Sequence, residues 1–386
     1  MKITSKSQLK KREKFNLSKF KTPFCYKESK KYRIYEMPKF SSKFFKNEKI
    51  KDLRENCLFI SGPARSGNHL VLSMLDGHPD LDFEIGEDDM LRTIFSHAKT
   101  NEKKTIRNIT NFNFNYLTKL SGQPKFGKGI GVNKWGKLYY MNKRRIIKTK
   151  VWSGNQRESE AHITDFQDIV QKIDYPNFIK TLKANKSNIK NCKNFLEFFE
   201  IYLSCKKKFT SNNQSSKYRY RWCGSGLRRE LFYLLKRSKK IICLTPIRRF
   251  ENFYYSYSKT RHNTSKINQS ALNDLWEHWR HKVIDYLLLK KKYPTKIHLI
   301  KFEDLVNNPK SISKKICKIL KIKYSKKMLS PTVLGKKSFG NSSYKKSKDI
   351  KGKIYKSTIN RNLKDVILPK EYFSILKQIN KMAVKI

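Results

Sequence analysis

The residues best suited to chemistry lie in one short stretch that follows an apolar run. Cys57–Ile60 is apolar and short, which predicts a buried strand, and helical spacing resumes after Gly67. Between Gly62 and Gly67 the chain has to turn, so that backbone N–H groups and the start of a helix are directed at one place. Arg65 adds a fixed positive charge there. This strand, loop and helix predict a binding site for an anion.

Two positions in this loop bear on which anion it binds. A nucleotide triphosphatase loop has Lys and then Ser or Thr after its second glycine, for the outer phosphates and for magnesium. The glycine spacing is kept here, but Asn68 and His69 occupy those two positions. Both side chains donate hydrogen bonds. We therefore expect a phosphate ester bound by hydrogen-bond donors without a metal.

A second set of phosphate-binding residue types lies further along the chain. Residues 241–245 are mostly apolar and predict a buried parallel strand, and Arg248 stands three positions after it. Ser256 stands eight residues after Arg248, at a distance that fits the next helix. An Arg at the end of a strand and a Ser on the following helix are able to grip one phosphate from two sides.

Carboxylates are concentrated just beyond the first loop, in a chain that is otherwise short of them. One interpretation is helix capping, with Asp88 or Asp89 opening a helix. The other is catalysis, because a carboxylate beside an anion site is able to take a proton from an attacking hydroxyl. Both interpretations stay open at this point. The carboxylates are Asp82, Glu84, Glu87, Asp88 and Asp89.

The first loop resembles the 5′-phosphosulfate loop of sulfotransferases, P-x-R-S-G-T-T-x-L, which is followed by L-D-x-H-P. Asn68 and His69 replace the two Thr of that pattern. The residues that carry the resemblance are Arg65, Ser66, Gly67, Leu75, Asp76, His78 and Pro79.

Three further segments resemble the same family. Arg248 and Ser256 match the 3′-phosphate motif R-D-P-x-x-x-x-x-S in spacing, with Arg249-Phe250 in place of Asp-Pro. Residues 86–88, Gly-Glu-Asp, are similar to the G-E-E tripeptide that carries the base in tyrosylprotein-type and many bacterial members. Residues 303–305, Glu-Asp-Leu, match a segment that we interpret as architectural, with Asn308 capping the next helix.

The resemblance implies a P-loop-like single α/β domain, with a central parallel sheet flanked by helices and a nucleotide across the carboxyl ends of its strands. It implies 3′-phosphoadenosine 5′-phosphosulfate as the donor and no metal. Arg65 would stabilise the leaving group and Glu87 or Asp88 would be the base, with His69 as an alternative base. The implied nucleotide-binding residues are Arg65, Ser66, Gly67, Asn68, His69, Arg248 and Ser256.

The rest of the chain is divided by composition. We expect a basic N-terminal arm over residues 1–50 and a catalytic domain over 51–386, with a substrate-side insertion at about 100–220. The C-terminal segment 325–386 is expected to close over the cofactor, with Lys336, Lys337 and Ser342 near the phosphates. The patterns also predict helices at 270–293, 309–320 and 370–384, a strand at 297–302 and a loop at 206–221.

The net charge of +56 is the most unusual feature of the composition. Lys, Asn and Ile are abundant throughout, so codon bias explains much of this charge, and a basic nucleic-acid-binding protein remains an alternative. A P-loop nucleotide kinase is the other alternative. The seven cysteines show no metal spacing, and the chain has neither a long apolar run nor a signal peptide, which favours the cytoplasm. The acceptor is expected to be a hydroxyl compound, with a saccharide or glycolipid favoured. We expect no specific nucleic acid as a partner.

Overall fold

The computed structural model describes residues 52–81, 106, 130–132, 138–140, 175–207, 217–218, 220–223, 228–261, 269–333, 336–337, 352–354 and 368–384. The strands are β1 (Cys57–Ile60), β2 (Ile130–Val132), β3 (Leu138–Tyr140), β4 (Tyr220–Cys223), β5 (Ile241–Ile247), β6 (Ile297–Lys301), β7 (Thr332–Val333) and β8 (Lys336–Lys337). The helices are α1 (Asn68–Met74), α2 (Tyr175–Ala184), α3 (Lys186–Asn191), α4 (Phe195–Lys207), α5 (Arg228–Arg237), α6 (Phe250–Arg261), α7 (Gln269–Lys292), α8 (Phe302–Asn307), α9 (Pro309–Leu320) and α10 (Lys370–Met382). A 3₁₀ turn spans Lys326–Leu329.

Four parallel strands form the central sheet, in the order β4-β1-β5-β6. Phe59 of β1 is opposite Trp222 of β4 on one side and Cys243 of β5 on the other. On the outer side of β5, Thr245 is opposite Leu299 of β6. The predicted α/β class with a central parallel sheet is confirmed. Because all four strands are parallel, their carboxyl ends meet at one edge, where ligands bind in such sheets.

Helices cover both faces of this sheet. Cys57 and Phe59 of β1 pack with one apolar cluster, to which α4, α5, α6, α7 and α10 contribute. Leu58 and Ile60, on the opposite face, pack with a second cluster that contains side chains of α1 and α9. All four β1 side chains are buried, which explains why this strand is apolar at every position and does not alternate.

The region expected as an insertion at 100–220 contributes to this core in part. The ring of Phe199 in α4 stacks on that of Phe59 in the central strand, with centroids 6.0 Å apart. Leu182 of α2 and Ile189 of α3 belong to the same apolar cluster as Phe59, so all three helices support the sheet. Residues 107–129 and 141–174 of that range lie outside the described residues, as does the expected N-terminal arm.

Several predicted elements are confirmed with small shifts. The helix predicted at 270–293 is α7, those predicted at 309–320 and 370–384 are α9 and α10, and the strand predicted at 297–302 is β6. Trp276 and Trp279, interpreted as core residues, are both buried. No helix within the described ranges has the length and apolar character needed to cross a membrane.

Two local predictions are wrong. The loop predicted at 206–221 contains the start of β4, since Tyr220 and Arg221 pair with Cys57 and Leu58 of β1. Asn308 does stand at the N-cap of α9, but its side chain makes no capping hydrogen bond. Its ψ of 56° departs from the extended conformation that directs a cap side chain at the helix. The same residue also ends α8, where its N–H donates to Asp304 O.

Candidate functional site

Three chain segments leave the carboxyl edge of the sheet side by side. They follow β1, β5 and β6, which are neighbours, and they begin at Ser61, Arg248 and Phe302. We call residues 61–67 the β1 loop and residues 248–256 the β5 turn. The order of the strands therefore brings together segments that are far apart in sequence.

Steric contact fixes the path of the β1 loop at both of its glycines. A Cβ on Gly62 would stand 2.2 Å from Pro246 O, and a Cβ on Gly67 would stand 2.4 Å from Phe302 Cδ2. Gly67 also has a φ of 99°, and Arg65 has a φ of 64°. Because no side chain fits at these glycines, the loop lies directly against β5 and against the ring that follows β6.

Ser61, the first residue of the β1 loop, is hydrogen-bonded to β5 and α7. Ser61 N–H donates to Leu244 O at 3.0 Å, and Ser61 Oγ lies 2.7 Å from the hydroxyl of Tyr286 in α7. The Cys243 thiol lies 3.9 Å from Ser61 O, and burial raises its pKa to about 12. This cysteine is therefore protonated at neutral pH and is a packing residue rather than a nucleophile.

Asn68 closes the β1 loop on itself. Its side-chain Nδ2 donates to Gly62 O and to Pro63 O, both at 3.3 Å, and the residue is buried. At the position where a nucleotide triphosphatase has its Lys, this chain has an amide that binds carbonyl groups of the loop. That arrangement does not provide the cation that holds the outer phosphates of a nucleoside triphosphate.

Ser66 and His69 lie on either side of Asn68 in this bend. Ser66 N–H donates to Pro63 O at 3.2 Å, and its fully buried Oγ has no hydrogen-bond partner among the described residues. A buried hydroxyl without a partner is costly, so this atom is suited to a ligand oxygen. His69 is half-buried in the first turn of α1.

The two motifs that the sequence predicted to act together do meet in space. Arg65 Nε lies 3.4 Å from Ser256 Oγ, across 191 positions of sequence. Arg248 Nη1 donates to Arg65 O at 3.3 Å, across 183 positions. The β1 loop and the β5 turn therefore form one constellation of donors, with two guanidinium groups and a buried Ser256.

Arg248 is held from three sides. It is only 4% exposed, and its Cζ lies 4.2 Å from the centroid of the Phe302 ring. Its carbonyl oxygen accepts a hydrogen bond from Trp279 Nε1 at 2.8 Å. Together with the contact to Arg65 O, these interactions fix both the backbone and the charged end of Arg248.

Glu303 fastens the start of α6. Its Oε1 accepts from Arg249 N–H at 3.1 Å and from Asn252 Nδ2 at 2.8 Å, and the residue is 8% exposed. The carboxylate thus satisfies the N–H of the residue that precedes α6, and its negative charge favours the positive end of that helix. The Glu-Asp-Leu segment is thus architectural, as expected, but it supports the β5 turn directly.

Phe250 replaces the Pro of the family pattern and anchors the same turn. Its buried ring lies 5.3 Å from Trp276 and 6.5 Å from Tyr372 of α10. The Tyr372 hydroxyl donates to a carboxylate oxygen of Glu251. Sequence reasoning missed this support, because its members come from three different helices.

Asp76 and His78, two residues of the sulfotransferase resemblance, have structural contacts. Thr332 Oγ1 donates to Asp76 Oδ2 at 2.6 Å. Asp80 N–H donates to His78 Nδ1, so the other ring nitrogen is the donor in its 2.8 Å contact with Lys323 O. Both residues attach the segment after α9 to the end of α1.

The remaining predicted site residues are placed only in part. Lys336 and Lys337 form β8, which pairs with β7. Glu87, Asp88 and Ser342 lie outside the described residues. Within the described part of the chain, no three His, Cys, Asp or Glu side chains are grouped as metal ligands would be.

No protein-family model matches the sequence, and no curated protein matches it. The structure is similar to solved sulfotransferase structures at low identity. Against the sulfotransferase domain of the Synechococcus PCC 7002 olefin synthase the TM-score is 0.46 at 14% identity, over 88% of this chain and 98% of that one. Against the sulfotransferase domain from the curacin biosynthetic pathway it is 0.46 at 15% identity, over 85% and 98%. Against the sulfotransferase STF1 of Mycobacterium tuberculosis H37Rv it is 0.35 at 11% identity, over 71% and 69%.

Proposed function

We propose that this protein is a sulfotransferase that uses 3′-phosphoadenosine 5′-phosphosulfate as its donor. The observation that carries the proposal is the pair of contacts that join Arg65 to Ser256 and Arg248 to the Arg65 carbonyl. A nucleotide with phosphates at both its 5′ and 3′ positions needs two sets of donors at the two ends of one adenosine. The β1 loop and the β5 turn supply them at neighbouring strand ends.

The donor set fits such a nucleotide. Guanidinium groups are permanently charged donors with the geometry that phosphate oxygens favour. Next to Arg65 stands the buried Ser66 hydroxyl, for which the described part of the chain provides no hydrogen-bond partner. When bound, the nucleotide supplies the sulfuryl group and a phosphate as leaving group. Arg65 stabilises the charge that accumulates on the 5′ side during transfer, and Arg248 with Ser256 holds the 3′-phosphate.

The acceptor hydroxyl has to lose a proton as it attacks the sulfur. We assign that proton to Glu87 or Asp88 on the basis of the Gly-Glu-Asp segment, with His69 as the alternative base. A saccharide or glycolipid hydroxyl is the acceptor class to be tested first. Five cysteines are buried free thiols, which supports a reducing compartment such as the cytoplasm; they are Cys57, Cys192, Cys205, Cys243 and Cys317.

The kinase alternative is weakened by Asn68, whose amide binds loop carbonyls where a kinase loop has its Lys. The nucleic-acid alternative rests on the charge of +56 alone.

Calorimetric titration with adenosine 3′,5′-bisphosphate in the presence of EDTA tests the proposal. We expect binding to the wild-type protein, and about tenfold to hundredfold weaker binding to the Arg65→Ala and Arg248→Ala variants, because each loses a charge-assisted contact. Arg54→Ala is the matched control, since that side chain is 76% exposed and its ion pair with Glu200 is 3.9 Å long.

Three results would refute the proposal. The first is absence of bisphosphate binding, and the second is an Arg54→Ala effect as large as that of Arg248→Ala. The third is tight binding of magnesium–ATP, or of duplex DNA with a steep salt dependence, in its place. Transfer of labelled sulfate to a panel of saccharides and glycolipids then identifies the acceptor, and Glu87→Gln and Asp88→Asn distinguish the two candidate bases by loss of kcat at unchanged bisphosphate affinity.

A further inference from the structure

One side chain touches both halves of the candidate site. The ring of Phe302, the first residue of α8 after β6, lies against Gly67, where an added Cβ would meet its Cδ2 at 2.4 Å and its Cε2 at 2.8 Å. The same ring lies 4.2 Å from the guanidinium carbon of Arg248. Phe302 therefore stands between the β1 loop and the charged end of the β5 turn.

Phe302 belongs to neither of the two large apolar clusters that cover the sheet. It forms a small cluster with Val306, against which the half-buried Leu70 and Ile354 pack. A ring that served the core alone would be expected in one of the large clusters. Besides its apolar neighbours, the ring contacts Gly67 of the β1 loop and the guanidinium of Arg248.

The contact with Arg248 has a physical consequence for the spacing of charges. Arg248 Nη1 donates to the backbone carbonyl of Arg65 at 3.3 Å, so the Arg248 guanidinium lies against the β1 loop. The face of an aromatic ring attracts a cation and so favours the guanidinium at this place. The ring is also rigid, so it fixes how near the guanidinium comes to the β1 loop.

We propose that Phe302 is a positioning residue that sets the distance between the β1 loop and Arg248, and thereby selects nucleotides that carry both a 5′- and a 3′-phosphate. This inference rests on the proposed function, because it assigns the β1 loop to the 5′ side and Arg248 to the 3′ side. Binding of a nucleotide with only a 5′-phosphate does not depend on the distance between the β1 loop and Arg248, whereas binding of a bisphosphate does.

The test compares adenosine 3′,5′-bisphosphate with adenosine 5′-phosphate by calorimetric titration of wild-type, Phe302→Leu and Phe302→Met proteins. Both variants keep an apolar side chain and lose the ring face. We expect bisphosphate affinity to fall about tenfold while 5′-phosphate affinity stays within about twofold. Phe373→Leu is the control for loss of a ring, since Phe373 is 62% exposed on α10. Both affinities should stay unchanged in that variant.

A second measurement reads the spacing without any nucleotide. In ¹⁵N-arginine-labelled protein the ring current of Phe302 should shift the side-chain N–H signal of Arg248 upfield of the signal of the exposed Arg54. The shift should disappear in Phe302→Met. A cooperative thermal unfolding transition shows that this variant is folded. An unchanged Arg248 signal would show that the ring does not fix the guanidinium, and would overturn the proposal.

The outcomes separate this inference from the proposed function. If the wild-type protein fails to bind the bisphosphate, both the proposed function and the proposed role of Phe302 in selectivity are refuted. The wild-type protein could bind the bisphosphate while the Phe302 variants lose affinity for both nucleotides equally, or for neither. In that case only the positioning role of Phe302 is overturned. A selective loss of bisphosphate affinity, together with a change in the chemical shift of the Arg248 signal, supports the positioning role of Phe302.

Discussion

The β1 loop and the β5 turn meet at one site but are held in different ways. The β1 loop is shaped by its own residues, since Gly62 and Gly67 permit close approach and Asn68 binds the carbonyls of Gly62 and Pro63. The β5 turn is shaped by residues from elsewhere in the chain. Its supports are Trp279 of α7, Phe302 and Glu303 after β6, and Tyr372 of α10.

This difference shows why one half of the site is specified by a local motif and the other half by the fold. Loop residues that contact one another need only the right spacing in sequence. A turn held by three distant elements exists only when the strand order β1-β5-β6 has formed. Variants in the two regions should therefore separate loss of local geometry from loss of distant support.

Gly67→Ala is expected to have the largest effect. The variant has to accept a left-handed backbone, at a cost of about 1–2 kcal/mol, and a clash with the Phe302 ring, at a further cost of about 1–3 kcal/mol. Bisphosphate binding should fall by at least about a hundredfold, as measured by calorimetric titration. Gly77→Ala is the matched control, because Gly77 has a φ of 68° but no atom within 4 Å of an added Cβ.

Only the backbone cost should appear in Gly77→Ala, as a lower midpoint in urea with unchanged bisphosphate affinity. Equal losses of stability in the two glycine variants would contradict the view that steric closure shapes the β1 loop.

Glu303→Ala is expected to have an intermediate effect, because it removes the acceptor that Arg249 N–H and Asn252 Nδ2 share. Stability should fall by about 1–3 kcal/mol, and bisphosphate affinity by about tenfold as the β5 turn loosens. Glu303→Gln keeps an oxygen at the same place and should recover most of both quantities.

The control for Glu303→Ala is Glu371→Ala, which breaks the two-bond pair with Arg280 at 2.6 and 2.7 Å. Stability should fall in that variant without a change in bisphosphate affinity. If Glu371→Ala weakened nucleotide binding as much as Glu303→Ala does, support for the β5 turn would not be specific to Glu303.

Tyr372→Phe is expected to have the smallest effect at neutral pH, and it should reveal itself at alkaline pH. Burial, and then the neighbouring Glu251 carboxylate, raise the pKa of Tyr372 well above its usual value. Unfolded tyrosine ionises near about pH 10. The stabilisation from Tyr372 is therefore complete below that pH and is lost progressively as the pH rises above it.

The phenylalanine variant has no proton to lose at this position. Its free energy of unfolding should fall less steeply than that of the wild-type protein between about pH 9 and 11, with nucleotide affinity unchanged within about twofold at pH 8. Urea unfolding over that pH range provides the measurement. Parallel slopes for the two proteins would show that Tyr372 ionises normally in the folded state.

The sequence predicted the parts of the molecule whose causes are local. Arg65, Gly67 and Arg248 with Ser256 follow spacings that geometry requires of a strand, a turn and a helix, and the structure brings them together. β4 was missed because Arg221 stands between Tyr220 and Trp222, so that the segment resembled the polar residues before it. Glu303 was visible as an acidic residue after a strand, but its partners depend on which strands are neighbours.

The hydrogen bond from Trp279 to the Arg248 carbonyl has one more consequence. Trp279 and Trp276 are stacked with centroids 5.5 Å apart and planes inclined by 28°. Indoles at that separation couple their electronic transitions and produce a paired circular dichroism signal that is sensitive to their mutual angle. The protein thus contains an optical reporter one hydrogen bond away from Arg248, and we expect a ligand that moves this residue to change the signal without any label.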